Sequence, residues 1–169
     1  FAFLQTVPPS RQPNTAHAMR WPFGTQAALT VWRALYFTPG VYQADPAQPA
    51  EWNRGAYLVR GLGHCGACHT PRNALGASKN ELDLAGGMIP RQNWYAPSLR
   101  SALEAGLPDG NLAHLAALLK TGVSPSGSAT GPMAEVVLNS TQYLSDDDLR
   151  AMAVYLKSLP SPAPRSAVP

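Results

Sequence analysis

Apolar positions recur with a helical period at three places in the second part of this chain. From Ser145 onward, Leu149, Met152, Ala153, Leu156 and Leu159 follow one another at spacings of three and four. That spacing puts them on one face and predicts the clearest helix. Ser145 is placed to cap it, with Asp148 three residues on as in a capping box. Asp146 and Asp147 suit the positive end of its dipole and Lys157 the negative end. Pro160, Pro162 and Pro164 prevent its continuation. A second stripe, Leu112, Leu115, Leu118 and Leu119, predicts a helix over 111–121 with Gly122 as its stop. Trp52, Ala56 and Val59 mark a third over 51–61. Pro97 to Leu103 suits a short helix with proline in its first turn. No strand pattern competes, so the fold class is all-α, with residues 70–98 and 125–132 read as loop.

The first fifty residues behave differently. They hold seven prolines, and only Thr25 to Phe37 reads as helical. Residues 11–50 are therefore expected to form an extended, aromatic-rich connector arm, with Trp21, Phe23, Trp32, Tyr36 and Phe37 available to pack on a neighbour. Residues 51–159 are the expected domain and 160–169 a proline-rich tail or linker. Residues 3–8, Phe-Leu-Gln-Thr-Val-Pro, echo residues 155–160, Tyr-Leu-Lys-Ser-Leu-Pro. The echo suggests that residues 1–10 are the tail of a preceding domain of the same kind. Phe1, in place of an initiator methionine, is read as the start of a processed or trimmed chain.

Composition narrows the classes. Of 169 residues, 45% are hydrophobic, enough for a core, and only 14% are charged, too few for a long solvated coiled coil. The net charge is +3 without a dense Lys/Arg run, so nucleic acid is not an expected partner. Residues 1–80 hold seven basic and two acidic side chains, against six and eight in the remainder. The basic end could steer an acidic partner. No run reaches the roughly 18–20 apolar residues of a membrane span. Membrane association would come only through parts outside this sequence or through partner subunits. A helical domain this small, with long irregular loops, would gain from a staple or a cofactor.

One motif supplies it. Residues 65–69 read Cys65-Gly66-Ala67-Cys68-His69, the spacing of c-type haem attachment. Two thiols on one turn can add to the two vinyl groups of a single porphyrin, and the adjacent imidazole then faces the iron. The rivals are weaker. A thioredoxin-like pair wants a strand just before it, and zinc needs two further ligands. A plain disulfide stays open. For the other face of an iron held by His69, four methionines are available: Met19, Met88, Met133 and Met152. Thioether sulfur stabilises ferrous haem. Met152 falls on a core stripe. Met88 sits in a glycine-rich loop and competes. Met133, after Gly131-Pro132, is the favoured ligand, because such a turn presents a side chain at small entropic cost. His17, His64 and His114 lie in no obvious ligand-bearing turn.

These residues resemble a class I cytochrome c domain. More closely, the chain resembles the multihaem cytochrome c subunits of bacterial membrane-associated dehydrogenases, such as those for alcohols and gluconate. The runs that carry the likeness are residues 52–59, 61–73, 94–99, 131–137 and 144–149, and the arm 21–50 looks like a connector between haem domains of that family. The resemblance implies a class I fold with long loops around one haem c per chain. Cys65 and Cys68 would form its thioethers, His69 would be the proximal ligand and Met133 the distal one. It further implies that Pro71 packs by the proximal imidazole and that its carbonyl side helps orient the ring. Arg72, Trp94 and Tyr95 would touch haem edge or propionates, and Gly55 and Tyr155 would lie near a close crossing of the first and last helices. The implied function is one-electron transfer from a dehydrogenase catalytic subunit, through neighbouring haem domains, to a quinone or terminal oxidase. Such a subunit is not catalytic by itself. The implied location is the periplasm, at the outer face of the inner membrane. An independent soluble shuttle is the alternative, or a haem sensor or peroxidase if the sixth ligand is absent.

Overall fold

The structure is a computed structural model that describes residues 2–90, 92–101, 104 and 111–161. It divides into two compact units, residues 1–40 and 41–169.

The first unit carries α1 (Ala2–Thr6) and α2 (Gln26–Tyr36) with extended chain between them. The echo segments at 3–8 and 155–160 are thus each largely helical. α2 forms where the sequence predicts it. Thr25 caps it, its hydroxyl accepting the amide of Ala28 at 3.2 Å. Trp32 and Tyr36, one turn apart, bring their rings to 5.5 Å, and the Arg33 guanidinium lies over Phe37. No side chain of α1 or α2 is buried.

The second unit begins before the expected boundary at Glu51. Residues 42–49 are tied to α3 (Ala50–Tyr57) by the edge-on packing of Tyr42 on Tyr57 and, above all, by the Asn53 side chain. The Asn53 carboxamide oxygen accepts the amide of Asp45 at 2.7 Å and the hydroxyl of Tyr42 at 3.1 Å. Its nitrogen donates to the carbonyls of Asp45 and Gln48 at 2.8 and 3.1 Å. Asn53→Ala would cost about 1–2 kcal/mol, and amide hydrogen exchange would accelerate across residues 42–49 while the last helix stays protected.

α3 continues into a π-helical turn, Leu58–Leu62, and then α4 (Gly66–His69). After a 3-10 turn at Asn80–Leu82, β1 (Gly87–Ile89) pairs antiparallel with β2 (Trp94–Ala96), Gly87 facing Ala96 and Ile89 facing Trp94. α5 (Leu112–Thr121) follows, then the hairpin of β3 (Val123–Ser124) and β4 (Gly127–Ser128). α6 (Pro132–Asn139), a 3-10 turn at Thr141–Tyr143 and α7 (Asp146–Ser158) complete the order. No helix among the described residues is long and apolar enough to cross a membrane.

Gly122 closes α5 in the left-handed region at φ 78° and Ser145 accepts the amide of Asp148, as expected, while Asn111 caps α5 by accepting the amide of Ala113 instead of opening it. Two expectations change. Both antiparallel pairs stand where the sequence reads as loop or turn, because strands of two or three residues are too short to show a period-two pattern. Residues Pro97 to Ser101 are not helical, and 102–103 lie outside the described residues. Ser98 instead gives its amide to Glu104. α6 is an element the sequence reading does not contain, and it starts with Pro132 in its first turn.

α3 and α7 cross closely and hold the core. A Cβ on Gly55 would stand 2.0 Å from the Ala151 carbonyl oxygen and 2.8 Å from the Tyr155 Cβ, so the crossing lies where the family resemblance implied. Around it Val59, Leu149, Met152, Ala153 and Tyr155 are all but fully buried, joined by Leu115 and Leu119 of α5. Trp52 packs edge-on against Tyr155 and donates its indole N–H to Ser158. Arg54 clasps Asp148 through two hydrogen bonds, at 2.7 and 2.9 Å. That hydrogen bonding holds the Asp148 carboxyl below its ordinary range. Thr141, buried, donates to the carbonyl of Leu119 and pins the α6–α7 connection to α5.

Candidate haem-attachment site

The site grows out of α3. The π-helical turn keeps the chain helical up to Gly63, whose amide donates to Leu58 at 2.7 Å. Cys65 then caps α4, and its carbonyl accepts the amide of His69 at 2.9 Å. Cys65, Cys68 and His69 therefore stand on one tight turn. Both thiols are free, so the plain disulfide is not what the structure shows. Burial pushes the Cys65 thiol up to about 11, the reverse of the lowered value that a redox-active thiolate needs. The segment before Cys65 is helical and no strand precedes it among the described residues, which removes the thioredoxin-like setting. Among the described residues no three His, Cys, Asp or Glu side chains cluster as metal ligands, so zinc gains no support.

His69 is buried and carries one directed hydrogen bond. Its Nδ1 lies 2.7 Å from the carbonyl oxygen of Pro97. A carbonyl only accepts, so Nδ1 holds the proton and Nε2 keeps its lone pair. Burial lowers the imidazole's pKa, which keeps the ring in the neutral form a metal ligand requires. The expected orienting group was Pro71. The Pro71 carbonyl accepts the amide of Lys79 at 2.9 Å, and the carbonyl hydrogen-bonded to His69 Nδ1 is that of Pro97. Two further bonds fix the turn. Gly86 donates its amide to the carbonyl of His69, and Leu84 donates to the Thr70 hydroxyl.

Met133 is the second residue of α6. It is half-buried and packs against the core, as do Cys65, Leu99, Leu112 and Ala116. Met88 is 53% exposed on β1, Met19 lies exposed in the first unit, and Met152 is core, as its stripe implied. His64 and His17 are exposed. His114 sits on α5, 3.4 Å from the Asn111 carboxamide.

Arg72 bridges two carbonyls, Ala67 within the motif at 3.1 Å and Gly76 at 2.7 Å. Its Nε is buried with no hydrogen-bond partner. Tyr95 donates its hydroxyl to Glu104 at 3.0 Å, the same carboxylate oxygen that accepts the amide of Ser98. Trp94 lies against Gly131. Sequence reasoning missed Pro97 and Glu104 as parts of this site. Pro97 stood within a run that carried the family resemblance, but nothing local indicates that its carbonyl faces an imidazole 28 positions away.

Haem c fits this set of donors. Two unpaired thiols sit on one turn, an imidazole has only Nε2 to offer, a half-buried thioether is close to the same core, and a buried guanidinium N–H beside the motif lacks an acceptor.

The chain is homologous to cytochrome c subunits of alcohol, fructose and gluconate dehydrogenases, at 39–44% identity. In particular, it is 44% identical to the alcohol dehydrogenase (quinone) cytochrome c subunit of Gluconobacter oxydans, matching 94% of this chain and 34% of that one. It is also 44% identical to a nicotinate dehydrogenase subunit of Pseudomonas putida, over 94% of this chain and 13% of that protein. A diheme cytochrome c-type protein of Cereibacter sphaeroides is 41% identical, over 95% of this chain and 52% of its own length. The chain thus spans between about an eighth and a half of these relatives. No protein-family model matches it.

Proposed function

We propose that residues 51–159 are a class I cytochrome c domain that transfers single electrons through one low-spin haem c. Cys65 and Cys68 would hold the macrocycle covalently, and His69 Nε2 and the Met133 thioether would ligate its iron. The bound haem supplies the one-electron ferric–ferrous couple. The protein's part would be to supply both iron ligands and to keep them still. The observation that carries this reading is the His69–Pro97 hydrogen bond, which fixes tautomer and ring plane directly beside the paired thiols.

Arg72 offers its unpartnered Nε to a propionate, which would satisfy the one buried side-chain donor without a partner among the described residues. Trp94 and Tyr95 approach the macrocycle edge from β2. By analogy with the dehydrogenase cytochrome subunits, the domain accepts electrons from a dehydrogenase catalytic subunit, directly or through a neighbouring haem domain. It passes them to another haem, a quinone or a terminal oxidase. The arm of residues 11–50 connects such domains, and the setting is periplasmic.

Intact mass, a pyridine haemochrome assay and spectra of both redox states test this together. One covalent haem per chain is expected, with a low-spin spectrum and the far-red band of ferric sulfur–iron ligation. A haem-free protein matured in a haem-attaching host would overturn the reading. A high-spin spectrum would replace electron transfer by sensing or peroxidase chemistry.

A further inference from the structure

We propose that Trp94 is a positioning residue for Met133. Its indole presses on the turn at Gly131 and so sets where the thioether stands relative to the His69 imidazole. This rests on the His69/Met133 ligation proposed above.

The contact is made at Gly131. Its backbone lies at φ 53° and ψ −136°, a region essentially restricted to glycine. A Cβ there would stand 2.4, 2.6 and 2.7 Å from Cζ2, Cε2 and Cη2 of Trp94. The six-membered ring of the indole therefore fills the space a side chain would need and lies flush on the backbone. Pro132 follows in the first turn of α6, with φ fixed by its ring. Met133 is next, and the amide of Ala134 closes the turn on the Gly131 carbonyl at 3.0 Å. A shift of Gly131 passes to Met133 through this closed turn, with the locked φ of proline between them.

The same short segment reaches the other ligand. Trp94 opens β2 opposite Ile89, and Pro97, just past the end of β2, holds His69 Nδ1 at 2.7 Å. Pairing with β1 anchors the segment on one side. Glu104, which accepts from Tyr95 and from the amide of Ser98, anchors it on the other. Residues 94–97 thus touch both ligand-bearing stretches, α4 and the start of α6. Methionine is a flexible side chain and a weak ligand. Bracing its backbone against the element that orients the histidine is how this chain would hold the two ligands at a fixed separation and exclude competing ligands from the iron.

Four variants of the haem-loaded protein test it: Trp94→Ala, Gly131→Ala, their double, and Met133→Ala as reference. The readouts are the far-red ferric band and the affinity of the ferric protein for imidazole. Trp94→Ala and Gly131→Ala should each weaken the band and tighten imidazole binding by roughly tenfold. The double variant should fall short of the product of the two by about fivefold, because the added methyl group then meets no ring. Trp94→Phe keeps a ring but withdraws its outer edge, so it should lie between wild type and Trp94→Ala. It also carries the test if the alanine variant fails to load haem. Met133→Ala should abolish the band. If it leaves band and affinity unchanged, the ligand assignment itself is wrong and this proposal goes with it. If Met133→Ala abolishes the band while the Trp94 and Gly131 variants match wild type, or their effects multiply without coupling, the ligand assignment stands and the positioning role of Trp94 is overturned.

Discussion

Placing valine at Gly55 should leave no folded domain to purify, and alanine should leave a weakened one. At this crossing a Cβ meets the Ala151 carbonyl oxygen at 2.0 Å and its carbon at 2.6 Å. Both atoms belong to backbone, so no rotamer change relieves the clash. α7 must move away from α3, and the buried contacts of Val59, Ala153 and Tyr155 loosen with it. Overpacking of this kind costs ~3 kcal/mol for one methyl group, against a total stability of about 5–15 kcal/mol for a domain. The branched side chain adds to that. Urea unfolding of Gly55→Ala should show the midpoint lowered and the slope retained. A midpoint equal to wild type would mean that the two helices do not cross this closely. The loss should also be far larger than that from Arg54→Ala on the same helix, whose ion pair with Asp148 lies at the surface.

The largest expected effect on the cofactor is that of Cys65→Ala with Cys68→Ala. Wild-type protein should retain its haem through acid–acetone extraction, and the double variant should lose all of it. Each single variant should keep one thioether and attach haem in lower yield. The reasoning is geometric. Both thiols and the imidazole occupy a single turn whose direction is set by the helical segment before it, so one macrocycle would be held at three points. Removing both covalent points leaves His69 and Met133 to hold a dissociable group. Its stabilisation of the fold then depends on free haem concentration. Haem that still resists extraction from the double variant would exclude thioether attachment and with it the proposed function.

Much of this protein is legible one segment at a time. α5 and α7 follow from local periodicity and from caps within a few residues of their ends, since a helix satisfies its own backbone and needs only one apolar face to be placed. The Cys65–His69 turn is equally local. Two thiols and an imidazole spaced for one macrocycle lie within five consecutive residues, and the sequence needs no distant partner to display them. Residues 11–50 lack a period because prolines interrupt them, and no side chain of α2 is buried.

The rest depends on residues that meet only after folding. The carbonyl that accepts from His69 Nδ1 belongs to Pro97, which β2 carries back to α4. The strands are two or three residues long, too short for a pattern, and form where pairing satisfies the backbone beside the site. Residues 97–101 have helical composition but are not helical, and the amide of Leu99 pairs with the distant carbonyl of Leu84. The contact of Trp94 with Gly131 joins segments that share no local signal. Sequence by itself thus determined α2, α3, α5, α7 and the Cys65–His69 turn, because those depend on neighbours within a turn or two, but neither α6 nor the non-helical run at 97–101. Only the tertiary structure decided which groups hold that chemistry in place, because a hydrogen bond or a close approach between distant segments has no periodicity to reveal it.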